Sequence, residues 1–209
     1  MKPERILKIM ESSINRQAYI DRAKTKDKVL LLILIMLSAR TKDELLEKVS
    51  DRLIKKFSSK KLCMLNEKQI ENEIYPVGFY KTKAKRIVEI CRIINEKYGG
   101  KVPRSFEELI KLPGIGRKTA NLFLATAFGV DTICVDVHVH RISNRLGLVK
   151  TKTPKETEEA LKKVFKRKDW RKINQVFVPF GKEICRPVSP KCEICPLRKT
   201  CKFASEKVL

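Results

Sequence analysis

Between Asp27 and Ser38 the chain reads "DKVLLLILIMLS", and Val29 to Leu37 are nine consecutive large apolar residues. A helix built from them has no polar face, so other elements must cover it on every side. The run is about half of the ~20 residues needed to cross a bilayer. It therefore predicts a buried helix at the centre of a bundle, with no membrane as partner.

The surrounding segments supply the cover. "RILKIMESSI" places Ile6, Ile9, Met10 and Ile14 on one helical face. "KAKRIVEICRIINEKYGG" carries Ile87, Ile90, Cys91 and Ile94 as a stripe and stops at Gly99-Gly100. "TANLFLATAFG" predicts a short buried helix closed by Gly129, and Thr153, Pro154 and Glu156 predict a capping box. No pair of alternating runs is joined by a hairpin turn, so the fold class is all-α.

Lysine and arginine total 47 against 24 acidic residues, a formal net charge of +23. Such an excess points to a polyanion, nucleic acid first, because cations on the protein release counterions from phosphates. The alternative is a solvated basic surface, as in Lys- and Glu-rich proteins from hot environments. The start "MKPERILKIM" is charged and amphipathic, unlike a secretion signal, and four of the seven cysteines crowd into Cys185 to Cys201. Together they predict a reducing, cytoplasmic and nucleoid-associated setting with metal in place of disulfides.

"LPGIGRKTAN" reads as helix, tight turn, helix: "SFEELIKL" first, Pro113 to Gly116 as the turn, and Arg117 onward as the second helix. It is no dinucleotide fingerprint, since Thr119 stands where the third glycine belongs. It is no Walker A loop either, since Arg117 replaces a glycine. Gly114 and Gly116 allow close backbone approach, and the N–H groups of the helix start can grip a phosphate without reading sequence. A plain connecting turn is the alternative. Lys118 sits at the positive end of that helix, where a cation is electrostatically misplaced.

Cys185, Cys192, Cys195 and Cys201 follow C-x6-C-x2-C-x5-C. Four thiolates suit either zinc or a [4Fe–4S] cluster. Arg186 to Lys202 is short of apolar residues and needs such a staple. Cys63, Cys91 and Cys134 lie in apolar settings and are expected to be small core residues. His138 and His140 lack further clustered ligands and read as structural or DNA-contacting residues.

"LPGIGRKTANLFLATAFG" followed by "VDVHVHR", together with "LLILIMLSARTKD", "VGFYKTKA" and the cysteine spacing, resembles the endonuclease III family of DNA base-excision repair glycosylases. The resemblance covers nearly the whole chain. It implies a six-helix domain at 21–130 with a helix-hairpin-helix, and a second helical domain of 1–20 plus 131–209 with a C-terminal [4Fe–4S] cluster loop. An active-site cleft is expected between them.

By the same resemblance Lys118 is the nucleophile, Asp136 the catalytic carboxylate, and Cys185, Cys192, Cys195 and Cys201 the cluster ligands. Gly114, Gly116, Arg117 and His138 are implied to contact DNA, with Arg186, Lys191, Arg198 and Lys199 presented to phosphates. The implied partner is double-stranded DNA with damaged bases or abasic sites, bound by a monomer. The implied reaction removes an oxidised pyrimidine and then cleaves the abasic site by β-elimination.

Asp136 also reads as an N-cap, which is compatible with catalysis. Flipping a nucleotide out leaves a gap to be filled. Bacterial relatives use a glutamine and a leucine where this chain has Arg40 and Phe79, so these two residues are expected to wedge into or pair with the vacated stack. The plain alternative makes Phe79 core. Two rival functions stand beside the main one: a monofunctional mismatch or adenine glycosylase, and a non-catalytic DNA-binding module with a zinc-stapled tail.

Overall fold

The computed structural model describes residues 1–15 and 25–206. In chain order its helices are α1 (Pro3–Glu11), α2 (Lys28–Leu37), α3 (Asp43–Lys56), α4 (Ser59–Leu62), α5 (Glu67–Ile74) and α6 (Tyr80–Tyr98). There follow α7 (Phe106–Leu109), α8 (Arg117–Phe128), α9 (Val137–Arg145), α10 (Pro154–Val164), α11 (Trp170–Glu183) and α12 (Lys202–Glu206). Two short 3-10 turns, Arg167–Asp169 and Arg198–Thr200, complete the helical segments, and no strand occurs among the described residues. The chain is all-α, and none of these helices is long and apolar enough to cross a membrane.

Two compact units form: Met1–Asp21 with Val130–Leu209, and Arg22–Gly129. The expected boundary between residues 20 and 21 lies outside the described residues. The inserted unit is built on α2. Every residue from Val29 to Leu37 is buried, with Leu32, Ile33, Leu34 and Leu37 at 0% exposure. Each such side chain contributes roughly 1.5–3 kcal/mol relative to exposure, so the apolar run organises what surrounds it. α8 packs along it, and α5 packs on α6.

One carboxylate fixes where α2 begins. Asp27 Oδ1 accepts from the Val29 and Leu30 amides at 3.1 Å each, and Oδ2 accepts from Ser59 N at 2.7 Å. Thus the cap of α2 also seats the first turn of α4. Asn66 and Gln69 form a reciprocal capping box on α5. Gly99 and Gly129, both in the left-handed region, terminate α6 and α8.

The stripe Ile87, Ile90, Cys91 and Ile94 is buried on α6. Cys63 and Cys91 are joined in a disulfide, with Cα atoms 5.3 Å apart. This corrects the expectation that both are small free core residues. The end of α4 meets the buried face of α6, a proximity that 28 residues of separation conceal. Cys134 is buried and takes no part in a disulfide.

The terminal unit gathers Met10, Val139, Ile142, Leu161, Ile173, Phe177 and Phe180 around one core. α1 packs on α11, as does α9. Leu7 joins Ile6 and Met10 as buried residues of α1, while Ile9 and Ile14 are only partly covered because the helix ends at Glu11. Thr153 caps α10 through Glu156 N at 3.2 Å, but the Glu156 carboxylate returns to the amide of Lys152 instead of Thr153. The capping box is displaced by one residue.

Candidate active site and cysteine loop

In the inserted unit, α7 leads through Leu112 and Pro113 into a turn at Gly114, and α8 begins after Gly116. Gly114 has φ +77°, and a Cβ there would lie 2.6 Å from Arg86 Cδ. The backbone at 114 calls for glycine, while the space a Cβ would need is held only by the flexible end of Arg86. Gly116 differs: its backbone is extended, and a Cβ would meet nothing within 4 Å. The fold itself makes no demand for glycine there, whereas close approach of another molecule would.

Buried Leu112 and Ile115 anchor the turn from beneath. α8 starts with no side-chain cap and no acidic residue in its first turn, so the chain does little to neutralise the helix's positive end. Arg117 lies with its guanidinium carbon 4.7 Å from the Phe106 ring centroid, which ties α8 to α7. Lys118 is exposed on the first turn of α8. The expected phosphate grip and the expected nucleophile thus occupy adjacent positions on one surface turn.

Arg40 and Phe79, far apart in sequence, stand together. Both are exposed and both adopt positive φ, 53° and 59°. The Arg40 guanidinium carbon lies 5.3 Å from the Phe79 ring centroid. Phe79 is 61% exposed, which removes the alternative that it is core.

In the terminal unit, Asp136 caps α9. Its Oδ1 accepts from the His138 and Val139 amides, each at 2.9 Å, and the side chain is half-buried. The His138 ring packs against Gly181 and its Nδ1 lies 3.1 Å from Arg141 Nη2. Burial holds the His138 pKa below its usual value; Asp136 opposes this, while Arg141 and Lys182 reinforce it. A neutral imidazole accepting from Arg141 fits that setting. His140 is 2.6 Å from Thr157 Oγ1, an internal hydrogen bond that joins α9 to α10.

The cysteine loop begins where α11 ends. Cys185, Cys192, Cys195 and Cys201 line one cavity, closed by Ile142, Leu146, Phe180 and Phe203. Among the described residues no three His, Cys, Asp or Glu side chains are gathered as ligands of a single metal ion. Four thiols on one cavity wall are a donor set that suits either zinc or an iron–sulfur cluster. Burial pushes the Cys195 and Cys201 thiols up, and the neighbouring cysteines add to this.

Two arginines one turn apart on α9 brace this loop. Arg141 donates to Cys185 O at 2.8 Å and to Gly181 O at 3.1 Å. Arg145 donates to Arg186 O at 2.6 Å and Pro187 O at 2.9 Å, and lies over Phe203. Sequence reasoning missed this bracing, because nothing in the spacing of Arg141 and Arg145 distinguishes them from surface cations. Arg186, Lys191, Arg198 and Lys199 are exposed on the loop surface.

Comparison with known proteins places these features in a family. Residues 33–167 match the family described as HhH-GPD superfamily base excision DNA repair protein. The Endonuclease III of Thermotoga maritima is 50% identical over 181 residues, 86% of this chain and 85% of that protein. A solved non-covalent Endonuclease III–DNA complex superposes with a TM-score of 0.87 at 34% identity, covering 98% of this chain and 96% of that one. A trapped Endonuclease III–DNA covalent intermediate, an estranged-adenine complex, gives 0.84 at 33% identity over the whole of both chains.

Proposed function

The chain belongs to the HhH-GPD superfamily of base excision DNA repair proteins, and from that we propose that it is a bifunctional DNA glycosylase and abasic-site lyase acting on oxidised pyrimidines in duplex DNA. The observation that carries the proposal is an exposed lysine, Lys118, on the first turn of a helix that opens behind the glycines at 114 and 116. A relative with the same overall fold has been trapped covalently on DNA, as an amine nucleophile requires.

Backbone groups of the Gly114–Gly116 turn hold a phosphate, and Arg117 adds charge beside them. The neutral Lys118 amine attacks sugar C1′, the C1′–N bond breaks and the base leaves with the electron pair. The nitrogen lone pair, freed by loss of the amine proton, then expels the ring oxygen: the C1′–O4′ bond breaks, O4′ takes the proton, and a protonated imine forms between C1′ and Nζ. Removal of a C2′ proton breaks the C3′–O bond and releases the 3′ strand, and water returns the lysine. Asp136 accepts the amine proton or stabilises the positive sugar as the base departs. Its cap bonds, both made through Oδ1, fix the carboxylate's orientation. Phe79 and Arg40 fill the gap left by the flipped nucleotide.

Cys185, Cys192, Cys195 and Cys201 would hold a [4Fe–4S] cluster, which supplies a four-point cross-link to a loop with little core of its own. Arg141 and Arg145 hold that loop against α9, and the exposed Arg186, Lys191, Arg198 and Lys199 face phosphates.

Borohydride treatment of the protein with duplex DNA containing one abasic site, beside an excision assay on duplex carrying one oxidised pyrimidine, tests the proposal. The wild-type chain should form a covalent complex and Lys118→Gln should not, while duplex binding persists because the phosphate grip is backbone. Strand-intact base removal without trapping would indicate a monofunctional glycosylase. Binding with neither reaction would leave only a DNA-binding module.

A further inference from the structure

We infer that Lys83 is the positioning residue that holds the Arg40 and Phe79 turns in the shape they present to DNA. Lys83 lies in the first turn of α6 and is 5% exposed. Its ammonium donates to Leu37 O at 2.9 Å, to Ala39 O at 2.6 Å and to Thr41 Oγ1 at 3.1 Å. An ammonium has three donors, and all three are used.

The acceptors explain the placement. Leu37 and Ala39 stand at the C-terminal end of α2, where carbonyls lack helical partners and the dipole is negative. Arg40 is the residue between two of those acceptors, Ala39 and Thr41, and it has φ 53°. Non-glycine residues avoid that region of backbone space; here the strained residue is pinned on both sides by one cation.

The other turn lies at the start of the lysine's own helix: Phe79, with φ 59°, is the N-cap of α6, and its carbonyl accepts the backbone amide of residue 83 at 3.0 Å, a bond independent of the side chain. Between the turns the backbones nearly touch: a Cβ on Gly78 would lie 2.5 Å from Arg40 O. Lys83 thus links the end of α2 to the start of α6 where Arg40 and Phe79 stack. None of its acceptors is a carboxylate. Burial, aided by nearby Arg86, accordingly pushes its pKa down to about 8. A buried lysine held by two carbonyls and a hydroxyl, with no carboxylate, is a costly arrangement, and the two strained, exposed turns are what it secures.

The functional consequence rests on the reading of Arg40 and Phe79 as gap fillers, and the test separates the two. Hydrogen exchange is measured on the full chain for wild type, Lys83→Met and Thr41→Val, well below each melting midpoint. In Lys83→Met the segments 38–41 and 77–80 should exchange faster by roughly tenfold or more, while α8 is unchanged. Thr41→Val, which removes one acceptor, should show a smaller rise confined to the same two segments. Excision of an oxidised pyrimidine from duplex should fall in Lys83→Met by about as much as in Phe79→Ala, and the double variant should be no worse than Phe79→Ala alone.

Exchange that rises evenly through the inserted unit, or in only one of the two segments, would overturn the inference, as would losses that add in the double variant. If Lys83→Met does not fold, Thr41→Val decides: a localised rise supports the inference and unchanged exchange refutes it. Full excision by Phe79→Ala would refute the gap-filling reading instead, leaving the exchange result to judge Lys83.

Discussion

Asp136 is asked to do two things, and two substitutions separate them. Its Oδ1 accepts two amides of α9 at 2.9 Å, a cap worth about 1 kcal/mol, within a range of roughly 0.5–2. Asp136→Ala removes it, and for a chain of this size each kcal/mol lowers the melting midpoint by roughly 2–4 °C. Asp136→Asn keeps an acceptor oxygen and loses only the attraction between charge and helix dipole, about 0.3–1 kcal/mol. The midpoints should therefore rank wild type, then Asn, then Ala. Activity should rank differently. If the carboxylate takes the proton or stabilises the sugar cation, both variants lose it completely, and single-turnover excision should fall about 10²–10⁴-fold in each. Circular dichroism melts give the first ranking and quenched-flow excision of an oxidised pyrimidine gives the second. Near-normal excision by Asp136→Asn, with loss only in Asp136→Ala, would reduce Asp136 to a helix cap.

Phe79→Ala should cost little stability, because the ring is 61% exposed. It should slow excision from duplex by the roughly 1–3 kcal/mol of a lost stacking contact, yet spare cleavage at a preformed abasic site; equal loss in both assays would refute the wedge. Gly116→Ala should leave the stability within about 1 kcal/mol of wild type but weaken duplex binding. Gly114→Ala should destabilise by about 1–2 kcal/mol or more from its positive φ, with Arg86 displaced as well. Destabilisation by Gly116→Ala as large as that by Gly114→Ala would show that both glycines serve the fold alone. Purified protein should be yellow-brown with iron and sulfide in near-equal amounts, and removal of the iron should loosen the segment 185–201 to proteolysis. Colourless protein with stoichiometric zinc would refute the cluster.

The all-α class was legible because α2 is apolar on every face and the stripes of α1 and α6 recur at helical spacing. The hairpin was legible because two glycines and a proline interrupt that period at one place. Proximity across the sequence was not. Nothing in the spacing brings Cys63 to Cys91, or Arg40 onto Phe79, because loop geometry sets those contacts. Lys83 is an intermediate case. It lies four residues before Ile87 and seven before Ile90, on the buried stripe of α6, so its burial could be read, but its acceptors at the end of α2 could not. Arg141 and Arg145 read as ordinary surface cations until the cysteine loop folds back onto α9. Asp136 showed its cap in the sequence, since an aspartate preceding an apolar-periodic run is a helix start.

The central claim is that Lys118 forms the bond to DNA. The most direct measurement is to reduce the wild-type protein on abasic duplex with borohydride, digest both components and locate the sugar adduct by fragment-ion mass spectrometry. The account predicts a single modified residue, Lys118, within the fragment that follows Glu108. An adduct on the N-terminal amine or on any other lysine, with Lys118 unmodified, would contradict it.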